Sequence, residues 1–361
     1  MSAPVTGPPG LIQRLATSRT FQSWAARMPV LRWFVAREGA VLFDVIQGFV
    51  RSQVLMALVE LDIFATLAPG PKTAALLAPA AGLTPEKMQV LLQAGAALGL
   101  LKRKGDSFAL SRRGAAFLGV PGLAGMVRHH RVLYRDLTDP VAFLRGETNP
   151  ELARFWPYVF GAAAAEDPSV AATYSTLMSD SQTLVAEDTL RLVDLSGARH
   201  LMDVGGGTGA FLRGVATAHP ALKLTLFDLP AVLDNVHLPP QITPAPGSFR
   251  DDPLPKGADT ISLVRVLYDH ADATVRALLG RVHATLPPGG RIIISEPMGG
   301  GIRPDPATDV YFAFYCMAMG TGRTRSATEI AALLAEAGFA GIRVHPGPRP
   351  YVTSAITATR A

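Results

Sequence analysis

The residues best placed for chemistry lie between Arg199 and Pro230, in RHLMDVGGGTGAFLRGVATAHPALKLTLFDLP. Asp203 sits near the end of one apolar run, Gly205, Gly206, Gly207 and Gly209 follow it, and Asp228 closes a second apolar run about 20 residues later. Glycines in a tight turn avoid Cβ clashes and leave room for a ligand close to the main chain. A helix starting beside them presents unpaired N–H groups and the positive end of its dipole. A carboxylate in the place of Asp228 can accept both hydroxyls of a ribose. These residues point to a nucleoside-containing cofactor.

The elements that must position them are a strand from His200 to Val204, a helix to about Ala218 and a strand from Lys223 to Phe227. Together they make one βαβ unit. Its pattern Gly205-x-Gly207-x-x-Ala210 also satisfies the looser dinucleotide fingerprint. Two features favour S-adenosylmethionine over NAD. Asp203, at the mouth of the first strand, would repel a pyrophosphate but could pair with an amino-acid ammonium. The unit also follows a long, mostly helical stretch rather than opening the chain.

A chain of 361 residues suggests two domains with a core in each. Its 48% hydrophobic and 17% charged residues point to a large apolar pocket or to extensive subunit contact. No run approaches the 18 uninterrupted apolar residues of a membrane span, and the first residues lack an apolar signal core, so a cytoplasmic location is expected. The single cysteine, Cys316, excludes an internal disulfide and a multi-cysteine metal site. A net charge of +5 does not by itself indicate nucleic acid.

In chain order, residues 1–40 read as an N-terminal extension: a Pro/Gly-rich start, then a helix from Leu11 to Arg27 ended by Pro29. Arg14, Arg19, Arg27 and the aromatic residues among them could touch a membrane surface or a partner subunit. Residues 41–124 give an apolar helical pattern over 41–68, then short helices from Thr73 to Ala80 and from Thr84 to Leu98. The second of these opens on Thr84-Pro85-Glu86 as cap, first position and acidic first turn. A hairpin about Gly105-Asp106 follows. That order spells a winged helix, which raises DNA binding through Lys102, Arg103 and Lys104. The second helix has few side chains to read base edges, so no nucleic acid is expected. Residues 125–194 are helical and rich in large side chains. His129 and His130 diverge by about 100° on a helix and lack a third ligand, so no metal is expected.

The last segment, 195–361, continues the βα alternation. Strands are expected near Ser248, from Asp259 to Val266 and from Arg291 to Ser295, with two closing strands at about Ile342 to His345 and Tyr351 to Ala358. Helices are expected from Asp272 to Leu286, Pro306 to Met319 and Ala327 to Ala337. This makes an open, mostly parallel α/β sheet with its chemistry at the carboxyl ends of the strands.

The ordered set DVGGGTG, FDLP, PGSF, DDPLPKGADTISLVRVLYDH, ISEP and LLAEAGF resembles the plant-type small-molecule O-methyltransferases over about residues 40 to 359. The resemblance implies a C-terminal Rossmann-like class I methyltransferase domain behind a winged-helix dimerisation domain, all-helical apart from its hairpin. It also implies a homodimer and a substrate lid around YSTLMSDS. The N-terminal extension, FWPYVFGA and VRVLYDH look closest to the purple-bacterial branch that methylates the tertiary 1-hydroxyl of acyclic carotenoids. Carried over, Asp203, Gly205 and Gly207 would surround the methionine part of S-adenosylmethionine, and Asp228 and Leu229 would hold ribose and adenine. Ser248 and Phe249 would flank the adenine, with Arg265 beside it. Ser248 stands where an aspartate is usual.

At the base the pattern departs further. The family's Leu-His-Asp-Trp reads Leu267-Tyr268-Asp269-His270, so Tyr268 takes the catalytic histidine's place. Glu296 matches the first of two orienting carboxylates, whereas Thr324 stands at the second. A tertiary alkanol is far less acidic than a phenol, and no histidine ionises it in advance. The enzyme is therefore expected to work chiefly by proximity, with Tyr268, Asp269, His270 and Glu296 as the catalytic candidates and S-adenosylhomocysteine as the product. Phe155, Trp156, Phe160, Met178, Phe312, Tyr315 and Met319 are candidate lining for an apolar substrate, a carotenoid above all. The alternatives are a bacteriochlorophyll-type tetrapyrrole methylated at carbon or oxygen, a small aromatic acceptor, and a cofactor-sensing DNA-binding regulator. The expected place of work is the cytoplasm, with contact at the inner or photosynthetic membrane open to it.

Overall fold

The computed structural model describes residues 10–155, 182–234 and 236–361. The chain divides into two compact units, one ending at Leu118 and the other running from Gly119 to Ala361.

In the first unit the helix Pro85–Ala97 starts as the sequence implies, with Thr84 Oγ1 accepting from Lys87 N and Pro85 in the first turn. The strands β1 (Lys72–Thr73), β2 (Leu101–Lys104) and β3 (Ser107–Leu110) form a sheet in the order β1-β3-β2, so the expected hairpin is widened by one short strand. Leu58, Ile63, Phe64, Leu67, Met88, Leu92, Leu101 and Phe108 make the core. Lys102, Arg103 and Lys104 are exposed, and Arg103 is held by Gln93 and by the carbonyl of Gly105.

Three boundaries differ from the expectation, each for a local reason. Leu11–Ala16 and Arg19–Ala25 are separate helices, because Ser18 caps the second through Phe21 N. Pro29 opens the helix Pro29–Ile46 instead of ending one, at the position where its missing N–H costs nothing. The pattern over 41–68 breaks into Pro29–Ile46, Gly48–Glu60 and Ile63–Leu67, the last break lying at Asp62 with φ 53°. Pro29–Ile46 buries none of its residues and exposes Trp33, Phe34, Leu42, Phe43, Val45 and Ile46. No single described helix is long and apolar enough to cross a membrane.

The second unit is built on a seven-stranded sheet. Its strands are β4 (His200–Val204), β5 (Lys223–Asp228), β6 (Ile242–Pro246), β7 (Thr260–Val264), β8 (Arg291–Glu296), β9 (Phe339–His345) and β10 (Ser354–Arg360). They lie in the order β6-β5-β4-β7-β8-β10-β9, and β10 alone runs antiparallel to its neighbours. β4, β7 and β8 read as near-continuous apolar runs because helices cover both faces. One layer packs Leu278, Leu279, Val282, Ile330 and Leu334 against the sheet. The other packs Val185, Phe211, Leu212 and Val215. The order reverses between β4 and β7, which places the crevice for a ligand at their carboxyl ends. The expected helix Pro306 to Met319 begins as a π-helix, Ala307–Phe312, and continues as Ala313–Ala318.

Candidate active site

The turn after β4 is held almost wholly by its own main chain. Gly205, Gly207 and Gly209 have φ of 70°, 60° and 77°, a region that disfavours side chains. Gly205 N donates to Phe227 O at 2.8 Å, which ties the turn to the end of β5. Asp228 accepts from Gly207 N through Oδ2 and from Leu229 N through Oδ1, both at 2.7 Å. Each of its oxygens keeps a lone pair for a ligand hydroxyl. A Cβ on Gly207 would stand in open space, so the turn offers a cradle rather than a packed corner.

Asp203 departs from the expectation. It has no exposed surface: Oδ1 accepts from Ser262 Oγ at 2.6 Å, and Oδ2, without a hydrogen-bond partner among the described residues, lies beneath Gly206, where any Cβ would collide with it. Burial pushes its pKa up to about 7, and the nearby charge of Asp228 adds to the shift. Asp203 thus supports the turn from below, out of reach of a ligand ammonium.

Beyond β6, the Ser248 hydroxyl bonds Asp251 Oδ2 at 2.9 Å and accepts from Arg250 N at 3.2 Å, so it shapes its own turn. Phe249 reaches the glycines, its ring edge lying 3.8 Å from where a Gly205 Cβ would be.

The turn after β7 is built from buried charge. Arg265 takes φ 57°, uncommon for a side-chain-bearing residue, while its N donates to Ser295 O at 2.8 Å. Its guanidinium carbon stands 5.9 Å from the Phe312 ring centre, and its Nε has no hydrogen-bond partner among the described residues. Tyr268 is buried, edge-on to Phe312, and its N donates to Glu296 Oε2 at 3.2 Å. Glu296 therefore grips the main chain and not an imidazole. Burial raises the pKa of Glu296 to about 7, carries that of Asp269 well above the carboxylate range and raises that of the Tyr268 phenol. These surroundings favour a neutral Tyr268 phenol. His270 is not free to act as a base either: Arg250 Nη2 lies 3.1 Å from its Nδ1, Phe249 packs edge-on at 5.2 Å, and burial lowers its pKa to about 4.

Sequence reasoning missed the residue that holds this turn. Arg325 is fully buried and donates to Leu267 O at 2.7 Å, to His270 O at 2.8 Å and to Asp272 Oδ1 at 2.6 Å. Arg323 grips the same Asp272, whose pKa falls to about 2, chiefly through that contact. Gly322 lies against Tyr268 O, where a Cβ would not fit. The available signal was Thr324: a missing carboxylate flanked by two arginines.

Of the candidate lining, Phe312 faces Tyr268 and Arg265, whereas Tyr315 and Met319 are packed into a cluster with Val132, Leu133, Phe143 and Leu152. The Phe155 side chain, Trp156, Phe160, Met178 and the YSTLMSDS segment lie outside the described residues. A cavity of about 810 Å³ opens at the other end of the sheet, lined by Arg199, His200, Lys256, Asp259, Arg281 and Arg360. It sits at the amino ends of the parallel strands, away from the glycine turn, and holds no part of the cradle. Among the described residues no group of three metal-binding side chains converges.

Residues 134–340 match the O-methyltransferase domain model, and residues 43–119 match the O-methyltransferase dimerisation domain model. The chain belongs to the O-methyltransferase family. Within that family it is 62% identical to demethylspheroidene O-methyltransferase of Cereibacter sphaeroides, over 96% of this chain and 94% of the relative. It is 55% identical to the enzyme of the same name from Rhodobacter capsulatus, over 99% and 92%. The fold matches human N-acetylserotonin methyltransferase in complex with SAM with a TM-score of 0.75 and 28% identity, covering 90% of this chain and 98% of that one. The likeness to O-methyltransferases inferred from six short motifs thus extends over nearly the whole chain.

Proposed function

We propose that this O-methyltransferase moves the methyl group of S-adenosylmethionine to the tertiary hydroxyl oxygen of an acyclic carotenoid of the demethylspheroidene type, releasing S-adenosylhomocysteine. One observation carries the reading: a glycine turn with Asp228 placed to accept ribose hydroxyls stands beside a turn whose charged groups are spent on holding the backbone. Gly205, Gly207, Asp228 and Leu229 hold the cofactor, with Phe249 and His270 as a ring wall and Arg265 beside it. When bound, the cofactor supplies an electrophilic methyl on a sulfonium. The protein's part is to orient the hydroxyl, to exclude water and to take a proton late. Positioning of this kind can supply roughly 7 to 11 kcal/mol of the barrier.

An alkanol acceptor suits this arrangement, since no base would ionise it at neutral pH. A polyene suits an apolar lining too, each buried CH₂ contributing about 0.8 kcal/mol. The 62% identity to an enzyme named for demethylspheroidene supports the same class of acceptor. The dimerisation-domain match supports a homodimer, with the exposed residues of 43–119 as its surface. An acceptor dissolved in lipid favours work beside a membrane. The exposed Trp24, Trp33 and Phe34, among Arg14, Arg19, Arg27, Arg32 and Arg37, offer an interfacial face for it.

Methyl-labelled S-adenosylmethionine, offered with a 1-hydroxylated acyclic carotenoid, a bacteriochlorophyllide and a simple phenol in detergent, tests this. Label in a carotenoid ether is the expected result. Label on a tetrapyrrole, or none with cofactor still bound, overturns it.

A further inference from the structure

The turn after β7 leaves the reaction without an evident proton acceptor. Asp269 and Glu296 are pushed towards their neutral forms, Arg325 and Asp272 are bound to each other, and His270 is tied to Arg250. Two other histidines stand on the helix Leu123–Asp136, in the same unit. They are neighbours in sequence, so they diverge by about 100°. Each meets a different tyrosine: His129 Nε2 lies 3.0 Å from Tyr315 Oη, and His130 Nε2 lies 2.7 Å from Tyr311 Oη. The tyrosines stand on the π-helix and its continuation, with ring centres 5.9 Å apart. π-Helical turns are rare and concentrate at functional sites.

Tyr311 is linked through Phe312 to the turn after β7. Its ring packs edge-on to Phe312 at 4.9 Å, and Phe312 in turn packs on Tyr268 at 6.5 Å and under the Arg265 guanidinium. Burial raises the pKa of the Tyr311 phenol, and the charge of Arg265 works against that rise. Tyr311 keeps some exposed surface, whereas Tyr315 is buried. Tyr311 and Tyr315 border an apolar cluster with Leu133, Phe143, Leu152, Phe314 and Met319.

We propose that Tyr311 accepts the proton of the acceptor hydroxyl and passes its own to His130. As the acceptor oxygen gains the methyl group and the S–CH₃ bond breaks with its electron pair left on sulfur, the O–H proton moves to Tyr311 Oη. The proton of Tyr311 moves at the same time to Nε2 of His130, taken in the tautomer protonated at Nδ1. The positive charge lost from sulfur then resides on the His130 imidazolium, which later releases its proton to water. Burial lowers the pKa of His130, keeping it neutral at the start and ready to release afterwards. Tyr311 is the catalytic residue here, and His130 acts through it.

This step rests on the hydroxyl-methylating reading, and the test separates the two. Wild type, Tyr311→Phe, His130→Gln and His130→Ala are compared for kcat and KM on the hydroxylated carotenoid. Solvent isotope effects on kcat are measured alongside, with cofactor binding followed by calorimetry. Glutamine keeps a hydrogen-bond partner for Tyr311 but cannot take up a proton. The expected result is a kcat loss of roughly a hundredfold in both Tyr311→Phe and His130→Gln, the low end for general acid–base catalysis. KM and cofactor affinity stay within about threefold, and the isotope effect of wild type shrinks in Tyr311→Phe. Full rescue by His130→Gln, or an unchanged kcat in Tyr311→Phe, overturns the relay. A wild type that methylates no hydroxyl overturns the functional reading instead.

Discussion

The turns after β4 and after β7 stand side by side at the carboxyl ends of neighbouring strands and are held by different forces. Around Gly205 to Gly209 the work is done by main-chain N–H groups, by positive φ angles and by one carboxylate that accepts two of those N–H groups. Around Arg265 to His270 it is done by a buried guanidinium, two carboxyl groups with raised pKa values and a strained backbone. The first turn, which we propose for the cofactor, has its geometry set by glycine spacing. The second, which we propose for the acceptor, has its charged groups taken up in holding the backbone.

Removing the centre of the second turn should have the largest effect. Arg325 is fully buried and donates to the carbonyls of Leu267 and His270, and leaving a buried acceptor unpaired costs about 1–3 kcal/mol, so Arg325→Ala is expected to lower the melting temperature by roughly 10 °C and to abolish turnover. Calorimetry and the transfer assay check both. Next comes the cofactor turn. Gly206→Ala sets a methyl against Asp203 Oδ2 and 2.6 Å from Leu226 Cδ1. It should weaken cofactor binding about tenfold or more by displacing the turn, at a stability cost of about 1–3 kcal/mol. Gly280→Ala, in a helix where an added Cβ meets nothing within 4 Å, should instead stabilise the protein by about 0.4–1 kcal/mol, which separates turn-specific loss from a general effect of the methyl.

A third test concerns pH. The folded pKa of Glu296 is raised to about 7 from an ordinary 4.5, so the folded protein holds that proton more tightly than the unfolded chain does. Its contribution to stability therefore falls as pH rises from about 4.5 to 7 and is level above that. Glu296→Gln keeps an acceptor for Tyr268 N and should gain on wild type across that window, by on the order of 1–3 kcal/mol at pH 8. Equal pH dependence in the two proteins would contradict the burial argument. The smallest expected effect is that of His270→Ala: kcat within a few-fold of wild type, with cofactor affinity reduced a few-fold through lost support of Phe249. A kcat loss of a hundredfold would restore His270 as a base.

Much of the cofactor side was legible because glycine spacing and a strand-closing aspartate act through the main chain, whose geometry repeats wherever the pattern does. The capped helix at Thr84 and the order of strands after Asp228 were legible for the same reason. Asp203 was misplaced because sequence shows that a carboxylate ends a strand but not which way it turns; Ser262, far along the chain, draws it under the glycines. Arg325 was invisible because its partners Leu267 and His270 offer only carbonyl oxygens, which leave no mark on residue type. The histidines at 129 and 130 were weighed as metal ligands and set aside. Their meaning lies in tyrosines on a distant helix, and no local spacing carries that.

The most direct test of an acceptor side built for an alkanol is a competition. Equal amounts of a 1-hydroxylated acyclic carotenoid and a simple phenol are offered with limiting methyl-labelled S-adenosylmethionine, and the label in each product is counted. Label is expected in the carotenoid ether in at least hundredfold excess over the phenol ether, on the order of one general-base contribution. Preferential labelling of the phenol would contradict it, since a phenol needs the base that this turn lacks.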